Sequence, residues 1–476
     1  MRFILMSSPL LVFAALALVW SCRTYQPPPS TKQEVVFIEA PRPTKMPELS
    51  SDTVYAGLSN RETVVTFYKN LGLRLAWFDS AQCDSGADSM ELIIRDIRYF
   101  GLLPQRYHNA EIGYLRATLI KGPRLPNSIQ RMDALLTDAF LMLIKDLGAG
   151  VSRKHEIADS NHVVMLQRAI QEKTLSRTLR SAEPSYSQYQ MLKETIRSMI
   201  DTTTSTIRDR ILRGEISDTE PVMKLLQKVE INLDRWRTES LFSEEGRFIF
   251  VNVPAFKLFV VNDGDKALES RIIVGAPGTP TPAISSKVEC LVIYPYWHVP
   301  RKIAVEEYLP AIQRDTSFIT RNNFDVLNGK GKVLRYDSID WKKFNKNYFP
   351  VSLRQREGRG NSLGLIKFVF DNPYAVFVHD TNAKSLFQGR MRALSHGCIR
   401  VEKAFDLARY VLTEESAKKS ELLEKYLKQR HRGIISLSTP VPIYIRYFTS
   451  FVIDNKLYVY DDCYKLDRDL YSVLYR

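Results

Sequence analysis

The sequence predicts an α+β protein in which a helical domain precedes a mainly β domain. The chain has 476 residues, which is too long for a single hydrophobic core. Up to Arg237 the apolar residues recur with a helical period, and from Ile249 they alternate with a period of two. We therefore expect a helical domain over residues 53–240, a β domain over residues 245–425 and a C-terminal β extension over residues 426–476.

Residues 1–22 have the pattern of an export signal. An apolar run from Phe3 to Trp20 follows Arg2 and leads into Ser21-Cys22. A basic head, an apolar centre and a small residue before a cysteine are typical of a lipoprotein signal, so we predict lipidation of Cys22. An uncleaved anchor is the alternative, because a run of this length can also span a bilayer. Both readings place the chain on the periplasmic side of the cell envelope.

Residues 23–52 form a Pro-rich linker. They carry six prolines among polar residues, and such a segment cannot bury enough apolar surface to fold, so we expect an extended tether. The formal net charge of +14 favours anionic partners such as envelope polymers or a membrane surface. Nucleic acid is not an expected partner, because no nucleic-acid-binding motif accompanies the charge.

Start and stop signals divide the helical domain. Capping-box patterns begin at Ser59 and Asp88, and Gly72, Gly101 and Gly148 are expected to end helices. The apolar stripes of these helices are predicted to form a core rather than a cofactor site. A last helix in this domain carries Val222, Leu225, Leu226, Val229, Leu233 and Trp236.

Short β-prone runs fill the second domain. Asn262-Asp-Gly-Asp265 lies between two apolar runs and predicts a hairpin. Further strands are expected at residues 288–294, 364–370 and 375–379. In the C-terminal extension, two more predicted strands, at 441–447 and 451–460, either complete the main sheet or pack beside it.

The chemically active residues are concentrated between Val376 and Val401. Within Ser395-His396-Gly397-Cys398-Ile399-Arg400, a histidine precedes the cysteine by two residues and an arginine follows it by two, so all three share one face of an extended segment. A cysteine is a nucleophile only as thiolate, which a base or a positive charge favours. His379, at the end of a predicted buried strand, is a second candidate base. The residues alone leave both histidines open for this role.

The backbone around the thiol also favours Cys398 as a nucleophile. Gly397 permits close approach of the main chain, and the N–H groups of Gly397 and Cys398 are candidate oxyanion donors. A helix expected around residues 404–411 would direct the positive end of its dipole towards the thiol. A lone cysteine is more often an inert core residue, but this combination favours catalysis.

His379 and the run Ser395–Arg400 resemble the signature of the L,D-transpeptidases with a YkuD-type catalytic domain, which cross-link peptidoglycan through a cysteine nucleophile. Other stretches are similar to the two-domain YcbB-like branch, although His298 and Arg359 stand where that branch has Asn and Pro. These stretches are Asp234–Arg237, Pro295–Pro300, residues 359–368, His379-Asp-Thr and Leu386-Phe387. The resemblance implies a helical scaffold domain followed by the catalytic domain.

The resemblance also implies a reaction. His379 would take the proton of Cys398, and the thiolate would attack the carbonyl at the L-centre of the third residue of a tetrapeptide stem, releasing D-Ala. An amine of a neighbouring stem would then attack the thioester and form a 3-3 cross-link. It further implies that carbapenem-type β-lactams acylate the thiol. His396 would shape the pocket, and Gly397 would donate to the oxyanion.

Three more residues are assigned to the substrate side of the site. The planar guanidinium of Arg400 suits a substrate carboxylate, and Ser395 and Asp380 are expected beside it. Ser395 is also able to hydrogen-bond His396 or the loop, and Asp380 to orient His379 through its backbone carbonyl. The acceptor of the thioester is left open: water would make an L,D-carboxypeptidase, and a protein lysine would make an anchoring enzyme. A non-catalytic peptidoglycan-binding lipoprotein is the alternative from another class.

No cofactor and no metal are implied. The sequence has no phosphate-binding loop, and His155 and His162 lack a third ligand. Cys83, Cys290 and Cys463 have no spacing typical of a zinc site, and a single disulfide among them is left open.

Overall fold

The computed structural model describes Met46 and residues 52–78, 85–121, 125–153, 158–217 and 219–475. The predicted export signal, Cys22, nearly all of the tether, Cys83 and His155 lie outside these residues. Within the described ranges, no helix is both long enough and apolar enough to cross a membrane.

The N-terminal part consists of helices that pack around one long helix, α5. This helix has 24 residues, and its buried side chains share one apolar core with the helices around it. The helix predicted to close the domain is present as α10. The helices are α1 (Asp52–Tyr55), α2 (Arg61–Asn70), α3 (Ser85–Arg95), α4 (Asn109–Lys121), α5 (Pro126–Ala149), α6 (Ser160–Gln171), α7 (Leu175–Ser181), α8 (Ser187–Asp201), α9 (Ser205–Leu212) and α10 (Pro221–Arg237).

The two predicted capping boxes are wrong. The N–H groups of Ser59 and Asn60 donate to the carboxylate of Asp138 in α5, both at 2.8 Å, and α2 begins only at Arg61. Asp88 lies inside α3 rather than before it. A buried carboxylate from the central helix thus replaces the local cap, because it binds two N–H groups that no nearby side chain reaches.

The glycine stop signals are correct at two of three positions. Gly72 follows α2 and Gly101 follows a short 3₁₀ helix, both with the positive φ expected of a helix stop. Gly148 instead lies inside α5, which ends at Ala149 before Gly150. The central helix is therefore longer than its sequence pattern predicts.

The C-terminal part is mainly β, as predicted. Its strands are β1 (Arg247–Asn252), β2 (Lys257–Asn262), β3 (Asp265–Gly275), β4 (Ile284–Ile293), β5 (Trp297–His298), β6 (Phe324–Leu327), β7 (Val333–Leu334), β8 (Ser352–Gln355), β9 (Ile366–Phe370), β10 (Val378–His379), β11 (Ala393–Ser395), β12 (Ile399–Val401), β13 (Gly433–Arg446), β14 (Ser450–Ile453) and β15 (Lys456–Val459). Its helices are α11 (Arg301–Ile303), α12 (Leu309–Arg314), α13 (Phe318–Arg321), α14 (Ala404–Val411), α15 (Ala417–Gln429) and α16 (Asp467–Leu474), with a π-helical turn at Ala304–Tyr308.

Eight of the described strands close into a barrel. Their order is β3-β12-β10-β9-β4-β13-β1-β2, with β2 paired back to β3, and β11 extends the sheet beside β3. Most pairs are antiparallel, but β10 runs parallel to β12 and β1 runs parallel to β13. The pairing of β10 with β12 brings the His379 strand beside the cysteine motif.

The predicted hairpin is present between β2 and β3. Asp263 and Gly264 both have positive φ, as a two-residue type I′ turn requires. The predicted end of the β domain at residue 425 is wrong, because β13 lies beyond it and belongs to the same sheet. This strand pairs with β4 on one side and with β1 on the other. Only β14 and β15 form a separate hairpin, so the extension contributes a central strand to the barrel.

An insert between β4 and β9, residues 297–355, was not predicted. It forms a small sheet in the order β5-β8-β6-β7 with its own apolar core, which includes Ile312, Phe324, Trp341 and Leu353. Its strands are two to four residues long, so no alternation extended far enough to be recognised in the sequence.

The end of α10 joins the two parts of the chain. Asp234 Oδ1 accepts a hydrogen bond from Val151 N at 2.6 Å, and the ring of Trp236 stacks on Phe448 with 4.2 Å between the centroids. Trp236 belongs to an apolar core that also contains residues of β1, β2 and β13. The helical part and the barrel therefore share packed side chains at this helix end.

Candidate active site

A row of three side chains crosses neighbouring strands of the barrel. Lys367 of β9 is paired with His379 of β10, and His379 is paired with Arg400 of β12. Residues in register on adjacent strands point to the same face of a sheet. The neighbours Phe368, Val378 and Ile399 are buried in the apolar core on the other face. His379 therefore lies between two cationic side chains.

Cys398 lies beside this row. It immediately precedes Ile399, the first residue of β12, which is paired with Val378. Its side chain therefore shares a face with Arg400 and is diagonal to His379. The thiol is half-buried, and Sγ lies 3.9 Å from the carbonyl oxygen of Ala375. The structure thus brings Cys398, His379 and Arg400 together, as the sequence predicts.

His379 is oriented by the backbone of the next residue. Its side chain is buried, and Nδ1 lies 2.5 Å from the carbonyl oxygen of Asp380. A carbonyl oxygen only accepts, so Nδ1 carries the proton and Nε2 retains its lone pair. Burial lowers the pKa of His379 to about 4, and the charges of Arg400 and Lys367 act in the same direction. The imidazole is therefore neutral at pH 7 and can accept a proton.

The thiol is also neutral at rest. Burial raises the pKa of Cys398, while a backbone hydrogen bond from Phe377 and the charges of Lys367 and Arg400 act to lower it. Since the pKa of His379 is low and that of Cys398 is high, the proton stays on sulfur until a substrate is attacked. This arrangement suits general-base catalysis, in which proton transfer accompanies bond formation.

Ser395 holds the motif together. Its hydroxyl donates to the carbonyl oxygen of Cys398 at 2.5 Å and accepts from Gly397 N at 3.1 Å. The prediction that Ser395 binds substrate is wrong, because its side chain is buried and both contacts are internal. The prediction that Gly397 N–H serves the oxyanion is wrong for the same reason. No acceptor in the described part of the chain takes the Cys398 N–H.

Gly397 is required for its backbone conformation. Its φ of +113° lies in a region that residues with a Cβ rarely adopt. Its carbonyl oxygen accepts a hydrogen bond from Thr281 Oγ1 at 2.8 Å. The glycine therefore turns the chain so that the next residue presents its thiol and its N–H.

Asp380 does not face the substrate, which corrects that prediction. Its side chain is buried, Oδ2 accepts from Leu365 N at 2.9 Å, and Oδ1 is paired with Lys384. A carboxylate saturated by internal donors has no free oxygen for a ligand. Its contribution to the site is the backbone carbonyl that orients His379.

His396 faces the insert. Its Nε2 lies 2.5 Å from Oε1 of Glu307 in the π-helical turn, and both side chains are about half exposed. This contact links the cysteine motif to the insert that precedes β9. The residue therefore borders the site, and the histidine on the strand beside Cys398 is His379.

The expected helix dipole does not reach the thiol. Helix α14 begins at Ala404, beyond the far end of β12, whereas Cys398 precedes that strand. Three strand residues span about 10 Å, and the effect of a helix end is confined to its first turn.

Lys367 is the site residue that the sequence analysis missed. Its ammonium lies 3.4 Å from the centroid of the Phe377 ring, and burial lowers its pKa. A lysine in the middle of the apolar alternation Ile-Lys-Phe-Val-Phe is the signal that could have indicated it. That pattern shows a charged residue on one face of a strand, but it does not show what lies on the neighbouring strands.

The other cysteines do not form a disulfide within the described residues, where Cys290, Cys398 and Cys463 are all free. In the same ranges, no group of three or more His, Cys, Asp or Glu side chains could hold a metal ion.

Comparisons with known proteins agree with this geometry. The profile of the YkuD family, described as the L,D-transpeptidase catalytic domain, matches residues 246–443, and the Scaffold domain profile matches residues 62–196. A Haemophilus influenzae protein described as "Putative L,D-transpeptidase" is 34% identical over 260 residues, which cover 53% of this chain and 50% of that protein. The match thus spans half the length of that relative.

A solved L,D-transpeptidase from Mycobacterium smegmatis is similar at 13% identity with a TM-score of 0.19, over 42% of this chain and 58% of that one. The predicted fold class and family resemblance are confirmed by the two domain profiles, and the chain therefore carries a YkuD-family L,D-transpeptidase catalytic domain behind a Scaffold domain.

Proposed function

We propose that the protein is a peptidoglycan L,D-transpeptidase that forms 3-3 cross-links between stem peptides. The observation that carries the proposal is the pairing of β10 with β12, which sets His379 diagonally opposite Cys398 with Nδ1 occupied by a carbonyl oxygen. Nε2 is then the one ring nitrogen that can accept the thiol proton. The match to the catalytic-domain profile supports the same chemistry.

In the first half-reaction, Cys398 Sγ attacks the carbonyl of the third stem residue while its proton passes to His379 Nε2. A sulfur–carbon bond forms, and the carbonyl becomes an oxyanion. When the intermediate collapses, the carbon–nitrogen bond to D-Ala breaks and the imidazolium gives its proton to the leaving amine. The enzyme is left as a thioester with a neutral histidine.

The second half-reaction reverses these proton transfers. A side-chain amine of a neighbouring stem attacks the thioester carbonyl, and His379 removes a proton from that nitrogen. The carbon–sulfur bond then breaks, and the proton returns to the thiolate of Cys398. The product is the 3-3 cross-link.

The backbone N–H of Cys398 is the oxyanion donor that we assign. It has no acceptor among the described residues, whereas the N–H of Gly397 is taken by Ser395. A fixed donor aimed at the developing charge lowers the barrier because it needs no reorganisation during the reaction. Arg400 is half-buried beside His379, and its planar fork suits the carboxylate of the leaving D-Ala.

The proposed setting is the periplasmic side of the cell envelope, with the chain held to a membrane through lipidated Cys22. The N-terminal sequence pattern supports this setting. Water or a protein lysine as acceptor would use the same thioester, so both alternatives are outcomes of the test below.

The test is mass spectrometry of purified tetrapeptide-stem muropeptides after incubation with the protein. The native protein is expected to yield 3-3 linked dimers and free D-Ala, and Cys398→Ala neither. Cys290→Ala is the matched control, because Cys290 is also a half-buried free thiol in the barrel. Tripeptides and D-Ala without dimers would favour the carboxypeptidase. Absence of all products from the native protein would contradict the proposed cross-linking and leave protein anchoring or a non-catalytic binding role.

A further inference from the structure

Two cations in the candidate active site have no anionic partner. Lys367 and Arg400 are each half-buried. Within the part of the chain that the structure describes, the titratable groups that act on them are Cys398, Cys290 and Tyr308, and none is a carboxylate. Burial of a charge without an opposite charge costs free energy, and a bound anion would offset part of that cost. Each of the two cations is therefore available to an anionic group of a ligand.

The ammonium of Lys367 is directed to the thiol side of the row. It lies over the ring of Phe377, 3.4 Å from the centroid. Phe377 immediately precedes Val378 and Cys398 immediately precedes Ile399. Because Val378 and Ile399 are paired on parallel strands, Phe377 and Cys398 are neighbours. A cation–π contact of this kind restrains an otherwise flexible side chain. The positive charge is therefore held close enough to act on Cys398.

The surroundings of Lys367 are basic. The ring of Tyr296 lies between the guanidinium groups of Arg354 and Arg432, at 4.5 and 5.4 Å. These two arginines and Lys367 all act on nearby His298. Arg354 is neutralised by Asp325 at 2.7 Å. The field on this side of the site is thus positive and favours an anionic group of the ligand.

We propose that Lys367 binds a second carboxylate of the donor peptide, one on the side chain of the residue whose carbonyl Cys398 attacks. This inference rests on the proposed function, in which Arg400 takes the carboxylate of the leaving D-Ala. The two cations lie on opposite sides of His379, so the groups they bind lie on opposite sides of the scissile bond. Donors with a free side-chain carboxylate at this residue are preferred over donors with a carboxamide.

The first experiment does not depend on transpeptidase activity. The rates at which iodoacetate and iodoacetamide alkylate Cys398 are measured by mass spectrometry of its tryptic peptide. Both reagents consume the same thiolate, so their rate ratio reports anion binding beside Cys398 and is independent of its pKa. We expect Lys367→Met to lower the iodoacetate-to-iodoacetamide ratio about tenfold. Lys367→Arg, which keeps the charge, should largely restore it.

Lys287→Met is the matched control, because Lys287 is an exposed lysine in β4 of the same barrel. Its ratio should equal that of the native protein. If Lys367→Met slows both reagents equally, Lys367 acts only on the thiolate and the proposal is overturned. An unchanged pair of rates would overturn it as well.

The second experiment uses two synthetic tetrapeptide stems that differ only in a free carboxylate or a carboxamide on the side chain of the third residue. For D-Ala release, Lys367→Met should lower kcat/KM at least about tenfold on the carboxylate donor and hardly at all on the carboxamide donor. Equal losses on both donors would contradict the proposed carboxylate contact. Inactivity of the native protein on both would contradict the proposed function instead, and the alkylation ratio would still test Lys367.

Discussion

His379 donates its Nδ1 proton to the carbonyl oxygen of Asp380, the next residue in the chain. The imidazole is therefore oriented by the main chain rather than by another side chain. Because the contact is local, the orientation depends on the turn that follows β10 and not on a distant partner.

The pH dependence of D-Ala release follows from this setting. Burial first, and then the charge of Arg400, hold the pKa of His379 near 4. An imidazolium cannot accept the thiol proton, so kcat/KM should stay level from pH 7 to about pH 5 and fall about tenfold per unit below pH 4. Steady-state kinetics across pH 3.5–8 would measure this profile. Near-ultraviolet circular dichroism that stays constant over the same range would show that the protein remains folded.

Arg400→Gln gives an internal check on the cause. Removing its positive charge should move the acid limb of kcat/KM to higher pH, in addition to any loss of substrate binding. An acid limb near the ordinary histidine pKa of about 6.5 in the native protein would contradict the buried, neutral base.

Ser395→Ala tests how far the motif depends on its internal hydrogen bonds. The substitution removes a donor to Cys398 O and an acceptor for Gly397 N. The loop would then hold the thiol and the Cys398 N–H less firmly, so we expect kcat to fall by about 10–100-fold with KM nearly unchanged. Ser286→Ala, which loses a hydrogen bond to Asp371 O, is the control. A rise in KM alone would indicate that Ser395 binds substrate.

Asp138→Ala tests the internal cap of the helical domain. The carboxylate accepts from Ser59 N, from Asn60 N and Nδ2, and from His108 Nε2 at 2.7 Å. Its loss leaves several donors without an acceptor, so unfolding free energy from urea titration should fall by about 3 kcal/mol. Asp209→Ala, on an exposed position of α9, should cost little. Equal values for the two variants would contradict the cap.

The same carboxylate makes stability depend on pH. Burial alone would raise the pKa of Asp138, but the hydrogen bonds from His108, Asn60 and Ser59 outweigh it and the pKa is lowered. A lowered folded-state pKa stabilises the fold at pH values above the unfolded pKa, about 3.9, and this contribution is lost as pH falls through the folded value. The difference in stability between native protein and Asp138→Ala should therefore shrink below about pH 4.

Some features were determined by the sequence because their signals are local. The change of period after Arg237, the Asp263-Gly264 turn and the spacing around Cys398 depend on residues within a few positions of each other. They predicted the fold class, the hairpin and the nucleophile. The resemblance of Ser395–Arg400 to a family signature then predicted His379 as the base beside Cys398.

Tertiary structure alone decided the rest, because it depends on which distant segments meet. Parallel pairing of β10 with β12 aligned His379 with Arg400, and pairing with β9 added Lys367. The same long-range packing made Asp138 the acceptor for N–H groups that local caps were expected to bind. It also made β13 one of the strands of the barrel. It also turned Ser395 and Asp380 inward, since their polar groups found buried partners. Composition and spacing carry no information on such pairings, whereas the chemistry of a thiol beside a histidine is visible in the sequence itself.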